Sequence, residues 1–145
     1  VSEDLMDICV KEWIKSRVSF HTHPFLDNHG RVLIGYSRIL DNMGVSKPEA
    51  EIMLDGDIVY LEKVLTRFDW FKEIPSDLKF ALTIIALQIG PAELIEQDGL
   101  IRAIKEREWT KASIESIKCQ WTENYRNIID VALMIRECDE KSEAA

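Results

Sequence analysis

The sequence predicts an α+β fold in which a small antiparallel sheet near the N-terminus is followed by a larger helical part. Two observations carry this. Hydrophobic residues between Phe25 and Tyr36 recur every second position, with Val32, Ile34 and Tyr36 alternating with Arg31, Leu33 and Gly35 around the turn-forming run Asp27-Asn28-His29-Gly30. Elsewhere apolar residues return at three- and four-residue steps, the period of a helix with one buried face.

Taken in order, Ser2 is placed to cap a first helix to about Lys15, with Glu3 and Asp4 at its positive end and Leu5, Ile8, Cys9 and Trp13 at helical spacing. The hairpin follows. Ser46-Lys47-Pro48-Glu49 reads as a capping box with proline inside the first turn, opening a long helix to about Arg67 that carries Leu54, Ile58, Leu61 and Leu65. Pro75 and Ser76 restart helix, Leu78, Ala81, Leu82 and Ile85 form its buried stripe, and Gly90-Pro91 stops it. Three further helices are expected over Glu93 to Glu106, Lys111 to Cys119 behind a Thr110 cap, and Tyr125 to Arg136, with the tail from Glu137 fraying.

A chain of 145 residues with 46% hydrophobic content supports one domain, 1–145. The reading gives it an N-terminal lobe over 16–46, a linking helix over 47–67, and a C-terminal helical lobe over 75–136 on which helix 2–15 packs. A cleft between lobes is the expected ligand site. No run is long and apolar enough to span a bilayer, and the acidic residues after Val1 do not suit an export signal, so synthesis in a cytoplasm is expected. The net charge of −8 disfavours nucleic acid and anionic lipid as partners. Cys9, Cys119 and Cys138, an odd number without a CxxC pair, argue against a disulfide framework and a zinc knuckle. No cofactor and no metal are expected.

Several motifs stand in a recognisable order. Ile14-Lys15, Pro24-Phe25-Leu26-Asp27, Ile34-Gly35-Tyr36 with Arg38, Leu87-Gln88-Ile89-Gly90, Ala103-Ile104 followed by Glu108-Trp109, and Cys119-Gln120-Trp121 run the length of the chain. Together they resemble the T-even-type phage lysozymes, the endolysins of glycoside hydrolase family 24. Ser37 stands where that family's Ile-Gly-Tyr-Gly-Arg signature has its second glycine. The resemblance implies a two-lobed lysozyme-like fold and cleavage of peptidoglycan between N-acetylmuramic acid and N-acetylglucosamine. It assigns the catalytic aspartate to Asp27 and a sugar contact to Gln88, while Arg38 and Arg126 are read as meeting carboxylates, either of a bound ligand or of neighbouring Asp and Glu residues. It also places Val18 at the family's catalytic glutamate and Leu33 at the threonine that helps hold water.

Valine has no proton to donate, and losing a general acid forfeits roughly 10² to 10⁴ in rate. A retained scaffold without its acid implies a phage or prophage protein that binds peptidoglycan or a protein partner without hydrolysing glycan, acting in the virion or at the periplasmic wall. The acidic balance fits a protein partner better than the anionic wall. The alternative is an active endolysin with a surrogate acid, for which His21 and His23 are the candidates because both could face one side of a strand. With His29 and Asp27 those histidines also form a loose metal-ligand pattern, of a kind that far more often describes ordinary surface. Asp27 reads equally well as turn chemistry, and Trp70, Trp109 and Trp121 as core residues rather than sugar platforms.

Overall fold

A computed structural model describes the backbone of residues 5–119 and 125–143, and the side chains of 6–119 and 127–138. The chain divides into two units, Val1–Glu51 and Ile52–Ala145.

The first unit opens with α1 (Leu5–Arg17), which carries Asp7 in its first turn and Lys15 and Arg17 in its last, each charge opposing the helix dipole. Its last turn closes where the Val18 amide donates to the Ile14 carbonyl at 2.7 Å. The Ser2 cap lies outside the described residues. Ile8, Cys9 and Trp13, three of the residues whose spacing predicts this helix, are exposed. The Arg17 guanidinium sits 4.8 Å from the centroid of the Trp13 ring, a cation–π contact that covers one face of the indole.

Three antiparallel strands follow, β1 (His21–Leu26), β2 (Val32–Gly35) and β3 (Arg38–Ile39), in the order β1-β2-β3. The alternation from Phe25 to Tyr36 predicts two strands; the short third strand adds a second edge to β2. Leu33 pairs with Phe25 on one side and Ile39 on the other. It is 7% exposed and is the one buried apolar residue of this unit among those described. The β1–β2 register shifts between His21 and Phe25, so the two-residue alternation that would set His21 and His23 on one face is interrupted there. Ser37, between β2 and β3, has a φ of 62°, a left-handed conformation that glycine adopts with less strain.

A single turn, α2 (Leu40–Met43), leads to α3 (Lys47–Leu65). The capping box forms as predicted: the Ser46 amide donates to Glu49 Oε1 at 3.1 Å, and the Glu49 amide donates to Ser46 Oγ at 3.3 Å. The division between the units falls within α3.

The second unit holds the remainder of α3, then α4 (Asp69–Glu73), α5 (Ser76–Ile89), α6 (Pro91–Ile95), α7 (Asp98–Lys105), α8 (Trp109–Ile117) and α9 (Tyr125–Glu143). Leu61 and Leu65 from α3, Phe71 from α4, the predicted Leu78-Ala81-Leu82-Ile85 stripe of α5, and Leu94, Leu100, Ile104, Trp109 and Ile135 form one buried cluster.

Three expectations change here and one element is new. The helix expected over Glu93 to Glu106 breaks at Gln97, whose ψ of 76° lies outside the helical range. The turn α4 was not expected; it buries Phe71, with Phe68 and Trp70 packed against the cluster. The α8 cap falls at Glu108 without a side-chain bond, because Trp109 begins the helix and is buried, which leaves Thr110 within the first turn. The tail expected to fray from Glu137 remains helical to Glu143, and buried Cys138 anchors it.

The end of α7 is a Schellman motif. The Glu108 amide donates to the Ala103 carbonyl at 2.8 Å and the Arg107 amide to the Ile104 carbonyl at 3.0 Å, with Arg107 itself at a φ of 59°. Among the described residues no helix is long and apolar enough to cross a membrane.

Candidate functional site

The turn between β1 and β2 is organised by Asp27. Its Oδ1 accepts the amides of His29 at 2.8 Å and Arg31 at 2.9 Å, and its Oδ2 accepts Arg31 Nε at 2.7 Å. The backbone closes the same loop, with the Asp27 amide donating to the Arg31 carbonyl and Gly30, at a φ of 75°, donating to the Asp27 carbonyl. The Arg31 amide, working against partial desolvation and aided by the guanidinium and the His29 amide, lowers the Asp27 pKa from 3.8 to about 2. The side chain is 17% exposed. The result is a carboxylate ionised at neutral pH, able to accept hydrogen bonds and a weak base there.

Val18 follows the last residue of α1 and is half-buried. Leu33, at the position of the water-holding threonine in the resemblance, is the buried centre of the sheet. Neither side chain carries a group that can donate or hold a proton.

Arg38 is committed within its own unit. It forms an ion pair with Glu49 and donates from Nη1 to the Gly44 carbonyl at 3.1 Å. The bond from Arg38, reinforced by Ser46, takes Glu49 from 4.5 down to about 2, and Glu49 in turn raises Arg38. These contacts tie β3 to the first turn of α3. Gln88 lies in the last turn of α5, half-buried, in the second unit. The Arg126 side chain and Gln120-Trp121 lie outside the described residues.

The three histidines are exposed. The His21 ring stacks on Phe25 with centroids 4.0 Å apart, and His23 Nδ1 lies 3.0 Å from Thr22 Oγ1. Among the described residues no group of three His, Cys, Asp or Glu side chains is placed to hold a metal ion. Trp109 is buried and Trp70 packs against the core cluster, as core residues do.

A second feature lies wholly in the second unit. A groove of about 550 Å³ runs between α3 and α5, lined by Ile58, Phe80, Ile84 and Leu87 and reaching buried Phe71. Phe80 is 59% exposed. The sequence carries its signal: besides the core stripe, α5 has Phe80, Ile84 and Leu87 at helical spacing, a second apolar face on one helix. No protein-family model matches the chain, and no curated protein matches it either.

Proposed function

We propose that this chain is a lysozyme-fold protein of phage or prophage origin that has lost muramidase catalysis and acts by binding, with a protein as its partner. The chemistry at Asp27 carries the reading. A carboxylate gripped by three N–H donors and titrating at about 2 is a poor base for activating water, and Val18, where the resemblance puts the general acid, has no proton to donate. Each missing factor of ten in rate raises the barrier by about 1.4 kcal/mol. The same contacts fit a purely structural turn. The surrogate-acid reading gains no support from His21 or His23, one stacked on Phe25 and the other beside Thr22.

A protein partner is favoured over wall polymer by the net charge of −8, which repels anionic wall components, and by exposed Ile52, Met53, Val59 and Tyr60 on α3. In this reading the protein is made in the host cytoplasm and works in the virion or at the periplasmic wall.

The test exposes chloroform-treated Gram-negative cells to the purified chain and follows turbidity beside a peptidoglycan pull-down. No lysis and no retention on peptidoglycan is the expected result. Retention without lysis would transfer the binding role to glycan, and lysis would overturn the silent reading. Val18→Glu with Leu33→Thr is expected to restore measurable lysis if the scaffold is of the lysozyme type.

A further inference from the structure

The α3–α5 groove carries a charge on each wall. Glu62 projects from α3 and Lys79 from α5, both line the groove, and neither makes an ion pair among the described residues. Besides these charges and the hydroxyls of Thr66, Ser76 and Thr83 the lining is apolar, with Ile58, Phe80 and Leu87 all partly open to solvent. From Ser76 to Leu87, α5 borders the groove for about 16 Å at 1.5 Å per residue, the length of roughly three helical turns.

We propose that this groove is the seat of one amphipathic helix from the partner protein, with apolar side chains at i, i+4 and i+7, a basic flank and an acidic flank. This rests on the protein-binding function proposed above. Two neighbouring helices present ridges between which a third helix packs, and the apolar stripe of the incoming helix would fill the space over Phe71, Ile84 and Leu87. The charges select the flanks: a basic row along α3 satisfies Glu62, and an acidic row along α5 satisfies Lys79. A uniformly basic helix would meet Lys79 with like charge, and a uniformly acidic one would meet Glu62 in the same way. The mixed flanks also fix the direction in which the helix runs, since reversing it exchanges its two sides.

The test uses the full chain and a fluorescent peptide of about four helical turns, with leucines at i, i+4, i+7 and i+11, lysines on one flank and glutamates on the other. Anisotropy is expected to give saturable binding in the micromolar range, weakened about 5- to 10-fold by either Glu62→Lys or Lys79→Glu alone as attraction becomes repulsion. The double reversal is expected to restore binding, with the peptide running the other way. Circular dichroism confirms that each surface variant keeps its fold. Absence of saturable binding, equal binding by an all-lysine-flanked peptide, or single reversals without effect would each overturn the proposal. A concentration-dependent dimer that Phe80→Asp dissociates would overturn it in favour of a second copy as occupant. Lysis of cells by a chain that still binds the peptide would sink the silent-lysozyme reading and leave the groove assignment standing.

Discussion

Replacing Leu33 by threonine restores the residue type that the lysozyme resemblance expects at a water-holding position, and the fold should resist it. Leu33 is 7% exposed and lies between Phe25 and Ile39 across the sheet. Truncating a buried leucine costs about 2.7 to 5 kcal/mol in well-packed cores. This sheet is thin, with no second buried apolar residue among those described in its unit, so it can close around the lost volume and the lower end applies. Threonine regains some strand preference but buries a hydroxyl, which offsets that gain. The net expectation is a loss of about 2 to 3 kcal/mol, which accelerates opening of the β1–β2–β3 ladder about 30- to 150-fold. Amide hydrogen exchange measures this directly, with core amides of α5 such as Ile85 as the internal reference. Ladder amides exchanging within about twofold of the wild-type rate would refute the assignment of Leu33 as the centre of the unit. The same cost bears on the pair Val18→Glu with Leu33→Thr, whose fold is checked by circular dichroism before its lysis assay is read.

Three further outcomes are expected. Arg107→Gly at the left-handed position closing α7 should stabilise the protein by about 0.5 to 1 kcal/mol, read as a rise of a few degrees in Tm; a fall would mean that the side chain has an unseen role. Asp27 titrates at about 2 when folded against an ordinary 3.8, so its contribution is complete above about pH 4 and disappears as pH drops through the folded value. Asp27→Asn should flatten that part of the acid-unfolding curve of the sheet, and an unchanged slope between pH 4 and 2 would contradict it. Glu49, lowered from 4.5 to about 2, behaves with the same sign. Its carboxyl carbon, followed by NMR, should titrate near 2, and a midpoint near 4.5 would mean that the Arg38 pair does not persist.

What could be read from residues alone follows the range of the forces involved. The Asp27-to-Gly30 turn, the Ser46–Glu49 cap and the α5 stripe were legible because each is decided within four residues or one helical period. The α4 turn escaped because Asp69-Trp70-Phe71 has too few residues to express a period; burial of Phe71 in the core decides it. The Thr110 cap was misplaced because a threonine before lysine and alanine offers a good local start, while Trp109 gains more by entering the core one position earlier. Cys138 likewise looked like part of a charged tail, and its burial is a tertiary fact. At the candidate site, the two aliphatic residues that the resemblance sets at its acid and threonine positions, Val18 and Leu33, could be read by counting along the chain, whereas the commitment of Arg38 to Glu49 and Gly44 depends on how β3 meets the start of α3. The groove was visible only as excess hydrophobicity on α5, since its walls come from two helices.

Glu49 holds both Ser46 and Arg38, so one carboxylate serves two neighbours from different parts of the chain. An aspartate at position 49 is a methylene too short to hold both neighbours, and a lysine at 38 gives up the planar fork that reaches Gly44 as well. Either exchange would therefore loosen the join between β3 and the start of α3.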